Sequence, residues 1–271
     1  MMLSDNLIEA RRGIFTASEN HRLMAGWDTP KPTRDFDEFA NMYEVLKPFY
    51  QAGVRKFLVG DLKEKFEFKI STDLINKTMA VIKAEKPPEG LITYAQEKAI
   101  ETFFDNDPSL QFSTVHTRNG EEREPEAMRL LAEATGLTFD NIGENQQHII
   151  TGDAGCTPDG VVMNDLDLFE TGAEVKCKTP LEHAKNLLIN TQEELLKHSI
   201  QHYTQVQTQM LVTDTDYWYF ANYNPFAIND KLKFKHIIIY RHPEFIAVLK
   251  DRIETAAEIR DAFIEKIKKT L

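Results

Sequence analysis

Cysteine is scarce: the 271 residues contain two, Cys156 and Cys177. That count excludes a disulfide framework and a four-thiolate iron–sulfur cluster, and it suits a reducing compartment. No apolar run of about 20 residues occurs, so nothing reads as a membrane-spanning helix. The opening Met1-Met2-Leu3-Ser4-Asp5-Asn6 carries acid where a signal peptide needs basic side chains. The expectation is a soluble cytoplasmic protein with no membrane association. Positive charge is also in deficit, with 32 Lys and Arg against 43 Asp and Glu and a net charge of −11. A protein that coats nucleic acid through its bulk field needs the opposite balance, because such binding releases counterions through many Lys and Arg contacts. A local basic track remains: Lys231, Lys233, Lys235 and Arg241 follow one another with no acid between them. They sit on a segment that reads as a strand, where edge lysines also block unwanted pairing. What the chain has in quantity is core material. With 42% hydrophobic, 10% aromatic and 28% charged residues it is globular rather than disordered, and its length suits one elaborated domain.

Repeats, heptads and low-complexity segments are absent. Thr16 and Glu19 have capping-box spacing, which predicts a helix from there to Gly26. Residues 27–118 read as mixed, punctuated by prolines. Within them Phe57, Phe66 and Phe68 alternate with charges over Lys56–Lys69 like a half-exposed hairpin, and Tyr94–Glu101 reads as a helix. From Asn119 the pattern sharpens. Asn119 and Glu122 are suited to cap a helix whose Ala127, Leu130, Leu131 and Ala134 share a face, with Gly136 ending it. Strand-like runs follow at His148–Thr151, Val161–Asn164 and Ala173–Cys177. Pro180 opens a helix, and a longer one carries Leu196, Ile200, Tyr203, Val206 and Met210 on one stripe. Strands at Tyr217–Tyr223 and Lys233–Tyr240 and a last helix from Pro243 complete a mixed α/β order around one central sheet flanked by helices.

The strongest feature is Thr157-Pro158-Asp159-Gly160 followed by Glu174-Val175-Lys176. Residues two apart on a strand share a face, so Glu174 and Lys176 project together. They meet Asp159 if their strand pairs with the one that Asp159 begins. Two carboxylates across a short turn make an oxygen-rich pocket for a hard divalent cation. The Lys176 ammonium suits a scissile phosphate or, with its pKa lowered, the deprotonation of an attacking water. An isolated Asp…Glu-x-Lys is far more often a surface ion pair in a hairpin, so the surrounding sequence has to carry the reading.

That context is Arg11–Ser18 (R-R-G-I-F-T-A-S), Gly120–Gly136 (G-E-E-R-E-P-E-A…T-G), Thr157–Lys176, and Gln205-Val206-Gln207 leading to Trp218–Tyr223. In that order the blocks resemble the lambda exonuclease and YqaJ viral recombinase family of phage exonucleases, within the PD-(D/E)xK nuclease superfamily. The resemblance implies a restriction-endonuclease-like core. It assigns Asp159, Glu174, Lys176 and Gln205 to catalysis, Glu124, Asp159, Glu174 and Val175 to metal binding, and Arg11 and Ser18 to a terminal 5′-phosphate. Glu124 is preferred over Glu97 and Glu101 for its spacing from Gly120 and Gly136. A helix starting near Thr16 would also offer free N–H groups to that phosphate. The activity implied is Mg²⁺-dependent 5′-to-3′ hydrolysis of double-stranded DNA in phage-type homologous recombination, leaving 3′ single-stranded tails. It uses two Mg²⁺ ions, for which Mn²⁺ substitutes, about 3.5–4 Å apart. The partners implied are double-stranded DNA ends, copies of the chain in a trimeric ring and a single-strand annealing protein, all in the cytoplasm of a bacterial host cell. Residues 27–118 depart from the compact family pattern and read as an insert in a single nuclease domain.

Two rivals remain at this level. One is a structure- or site-directed endonuclease of the same superfamily; the other is a non-cleaving DNA-binding or assembly protein. Zinc held by Cys156 and Cys177 with His148 or His183 is disfavoured, because structural zinc wants four ligands in close pairs. The aromatic run Tyr217–Tyr223 reads as sheet core rather than a base-stacking surface.

Overall fold

A computed structural model of the chain describes residues 11–28, 37–54, 56–62, 70–105 and 115–271. These form two compact units, one made of the described residues up to Met24 together with Gly90–Leu271, the other of Ala25–Glu89. In chain order the first elements are β1 (Phe15–Thr16), α1 (Asp37–Gln51), α2 (Val59–Leu62), α3 (Thr72–Ala84), α4 (Glu89–Ile100) and α5 (Val115–Thr135). Then come β2 (Ile149–Thr151), β3 (Ala154–Cys156), β4 (Gly160–Met163), β5 (Phe169–Lys176), α6 (Pro180–Asn186), α7 (Gln192–His198) and α8 (Ile200–Thr213). The chain ends with β6 (Tyr217–Tyr223), β7 (Phe234–Tyr240) and α9 (Pro243–Lys268). The smaller unit is helical, with Met42 and Leu46 of α1 packed on Leu62, Ile70, Ile75 and Ile82.

The fold is mixed α/β as the pattern predicts, but among the described residues its strands make two sheets rather than one. A three-stranded sheet runs β1-β3-β2 and a four-stranded sheet β4-β5-β6-β7. The division falls at Thr157-Pro158, where proline offers no N–H to continue a ladder. Strands β5 and β6 are parallel, joined through α6–α8, while β4 and β7 pair antiparallel at the two edges.

The larger sheet is covered on both faces. Ala127, Met128 and Leu131 of α5 pack against Ala173, Val175, Tyr219, Ala221 and Tyr223. The intervening residues Glu174, Lys176, Trp218 and Phe220 therefore point the other way, toward α8. Trp218 is fully buried and its Nε1–H donates to Thr215 Oγ1 at 2.7 Å. A Cβ on the neighbouring Gly172 would stand 2.5 Å from the Trp218 ring. Gly172→Ala is accordingly expected to cost about 1–3 kcal/mol by overpacking. A fall in the urea midpoint at unchanged m-value checks it, and an unmoved midpoint would show that the indole has room to shift.

Several local expectations are corrected. The capping box at Thr16 and Glu19 does not start a helix: Phe15 and Thr16 pair in parallel with Ala154 and Gly155, and only a 3₁₀ turn follows at Asn20–Leu23. Tertiary pairing overrides local propensity there. Asn119 lies inside α5, which starts earlier, although Gly136 does end that helix at φ +73°. The long stripe breaks at Ser199, whose extended backbone separates α7 from α8 and whose Oγ accepts the His202 N–H. Val59–Leu62 is a helical turn rather than half of a hairpin; Phe66 and Phe68 lie outside the described residues. The basic track is tied down locally: Lys233 pairs with Asp230, and Lys235 donates to Leu187 O and Asn190 Oδ1. The aromatic strand β6 is sheet core, with Trp218, Tyr219, Phe220 and Tyr223 all buried.

Candidate active site

Asp159 follows Pro158 into β4, and its N–H reaches Ala173 O at 3.3 Å as the strand pairing begins. Gly160 then lies opposite Ala173. The Asp159 side chain turns back on β5, where its Oδ2 accepts the Val175 N–H at 2.6 Å. Glu174, which the register sets across from Asp159, is 2% exposed. One oxygen of Glu174 is ion-paired with the Lys176 ammonium and the other accepts from Gln209 Nε2 at 2.6 Å. Lys176 also donates to Gln205 Oε1 at 3.2 Å. Gln205 and Gln209 are one turn apart on α8, and they grip the β5 pair together. Glu124 enters from α5, accepts from Gln146 Nε2 at 2.5 Å and adds its charge to those acting on Asp159 and Lys176.

The site is short of positive charge. Burial first, then the neighbouring Glu174 and Glu124, push the Asp159 carboxyl well above its usual range, against the pull of Lys176 and the Val175 N–H. Burial alone would lower Lys176, but Glu174 and Asp159 outweigh it and the ammonium is held above its usual value. In this arrangement Lys176 is a cation, held so by its carboxylate neighbours. Lys178 is depressed by burial and by Lys176. His202, stacked obliquely on Phe220, is driven down to about 3 by burial and by the nearby Lys176 and Lys178, so its ring is neutral.

Among the described residues no group of three or more His, Cys, Asp or Glu side chains is gathered into a metal-holding cluster. Glu174 closes on Lys176 instead. The donor chemistry nonetheless suits a hard divalent cation: Asp159 feels the charges of Glu174 and Glu124 with Lys176 as the opposing cation, an imbalance that an oxygen-bound divalent ion would relieve. His183 Nε2 bonds Leu232 O at 2.7 Å, His148 Nδ1 lies 3.0 Å from Thr157 Oγ1, and Cys156 is buried.

Arg11 and Ser18 belong to the other sheet and its flank. The Arg11 guanidinium is depressed by burial and its charge is felt at His148. Ser18 O bonds His21 Nδ1 at 3.1 Å. The expected ring of free helix N–H groups beside them does not exist. The N–H of Gly13 goes to Glu101, of Phe15 to Asp153 O, of Thr16 to Tyr94 Oη and of Ala17 to Gly155 O. Glu97 and Glu101 are engaged by Arg22 and Lys98. Sequence reasoning missed Gln209, Gln146 and Lys178. Gln209 had a usable signal, one helical turn from Gln205; Gln146 follows the 3₁₀ turn Gly143–Asn145 and has no motif of its own.

A family model, the YqaJ-like viral recombinase domain, matches residues 77–216. The match begins inside the segment that departs from the compact family pattern. An alkaline exonuclease from Laribacter hongkongensis has a similar structure, with a TM-score of 0.60 at 17% identity over 98% of this chain and 97% of that one. The complex of that exonuclease with dAMP gives 0.61 at 17% identity with the same coverage. A phage-related exonuclease from Haemophilus somnus gives 0.55 at 18% identity over 69% of this chain and 88% of that one. No curated protein matches the sequence. The matched segment spans just over half of the 271 residues and carries Glu124, Asp159, Glu174, Lys176 and Gln205, so the chain belongs to the YqaJ-like viral recombinase domain family.

Proposed function

We propose that the protein is an exonuclease that hydrolyses double-stranded DNA from its ends in the 5′-to-3′ direction, leaving 3′ single-stranded tails. The observation that carries this reading is the convergence of Asp159, Glu174 and Lys176 on one strand pair, with Glu124 and Gln205 brought to them by two helices. Asp159, Glu174, Glu124 and the backbone at Val175 would hold two Mg²⁺ ions, or Mn²⁺ in their place, and the chemistry supplied there would be Lewis-acid polarisation of the phosphate and a lowered pKa for an attacking water. Lys176, kept protonated by its carboxylate neighbours, binds a non-bridging oxygen of the scissile phosphate. Gln205 fixes the lysine's direction. Arg11, a largely desolvated guanidinium, holds the 5′-phosphate with Ser18, a charge-assisted contact that arginine makes through two N–H groups. In this reading the chain assembles as a trimeric ring and passes its single-stranded product to an annealing protein in the bacterial cytoplasm.

End-labelled linear duplex and covalently closed circles, each with Mg²⁺ or with EDTA, test the reading. Linear duplex is degraded with Mg²⁺ only, and circles persist. Cutting of circles would make the protein an endonuclease, and binding without cutting would make it a non-cleaving assembly protein. With Arg11→Ala, rates on 5′-phosphate and 5′-hydroxyl ends converge, the phosphate-ended substrate slowing by about tenfold. An undiminished preference would remove Arg11 from that role.

A further inference from the structure

The loop between β6 and β7 exposes apolar surface beside the proposed site. Phe226 is 68% exposed and Ile228 is fully exposed, on a loop that is pinned rather than slack. Asn224, itself buried, donates through its N–H to Lys233 O at 2.9 Å and through Nδ2 to Lys178 O at 2.8 Å, while its Oδ1 accepts the Phe226 N–H at 2.9 Å. The Arg123 guanidinium lies 4.8 Å from the centre of the Phe226 ring. Arg123 precedes Glu124 on α5, and Lys178 stands two residues beyond Lys176. The loop is therefore tied through its contacts to both walls of the carboxylate site.

A phenyl ring held out in water gains nothing for the fold, since apolar area is stabilising only when removed from solvent. The surroundings say what covers it. Arg123, set over the ring, and Lys178, whose carbonyl holds Asn224, bring positive charge to this side of the loop in a chain whose net charge is −11, so the partner is anionic as well as flat and apolar. A nucleotide meets both requirements, its phosphate facing the cations and its base the ring. Arginine planes and aromatic faces are the two surfaces on which unpaired bases stack.

We infer that Phe226, backed by Arg123, is a base-stacking residue for the nucleotide adjoining the scissile phosphate; this rests on the nuclease reading above. Stacking of this kind tolerates any base, because every base presents a π-face. The ring positions the strand and takes no part in bond breaking. Phe226→Ala therefore raises KM for linear duplex about tenfold and leaves kcat close to that of the parent, and Phe226→Trp restores the parent KM. A second measurement needs no cleavage. Duplex carrying 2-aminopurine at its 5′-terminal position is titrated with protein in EDTA. The parent and Phe226→Trp quench the fluorophore by stacking, whereas Phe226→Ala binds without quenching. Both variants melt with the parent, since the side chain is exposed. Unchanged KM together with unchanged quenching in Phe226→Ala overturns the assignment and leaves the nuclease reading standing. Absence of cleavage by the parent sinks the nuclease reading, while the fluorescence titration still decides the stacking.

Discussion

Asp159→Asn and Lys176→Met each lower the rate of duplex hydrolysis by about 10²–10⁴-fold, the range expected when a positioned charge or proton-handling group is lost from a reacting centre. Asn retains the shape of Asp159 and an oxygen for the Val175 N–H, which the carboxylate meets at 2.6 Å. The loss at that position is then one of charge and metal affinity rather than of strand geometry. Extra Mg²⁺ recovers part of the rate in Asp159→Asn. It recovers none in Lys176→Met, where the missing group binds phosphate. Single-turnover rates across a Mg²⁺ titration separate the two behaviours. Full activity in either variant would mean that the chemistry takes place elsewhere on the molecule.

The same two substitutions have opposite effects on stability. In EDTA, Lys176→Met loses about 3–5 kcal/mol of unfolding free energy, because it leaves a buried carboxylate without its partner. Glu174 is 2% exposed and the Lys176 side chain 17% exposed, so water does little to compensate. Asp159→Asn gains about 1 kcal/mol, as expected for a residue kept for chemistry at the expense of the fold. The pH dependence follows from the raised Asp159 carboxyl, whose causes are burial first and then Glu174 and Glu124. Between the ordinary carboxyl range and the raised folded value, the native state holds a proton that the unfolded chain has released. The associated stability is complete in acid and is lost as pH rises through the folded value. The gain from Asp159→Asn therefore grows with pH and vanishes in acid. Urea unfolding at several pH values reads it. A pH-independent difference would show that the Asp159 carboxyl is not electrostatically strained.

The part of the site that was legible in the sequence is the part built from short-range rules. Glu174 and Lys176 are two apart on one strand and Asp159 begins its antiparallel neighbour, so strand periodicity and a single turn bring them together. Gln205 and Glu124 needed the family resemblance, because each comes from a helix whose docking no local pattern specifies. Gln209 and the Asn224–Lys178 bond depend on a parallel β5–β6 pair reached through three helices, and long-range pairing leaves no mark on neighbouring residues. Thr16 and Glu19 show the opposite failure. Their spacing is a sound helix signal, defeated because Phe15 and Thr16 gain more by completing a sheet with Ala154 and Gly155 than by starting a turn.

That two-residue pairing has a consequence for how the chain varies in length. By joining Phe15–Thr16 to Ala154–Gly155 it closes a loop that contains the whole Ala25–Glu89 unit. Closure entropy rises only logarithmically, so doubling such a loop costs about 0.6 kcal/mol. A unit with its own apolar centre inside so long a loop is thermodynamically cheap to enlarge, shrink or replace outright. The ends of β1 and β3 would meet in the same register whatever lay between them.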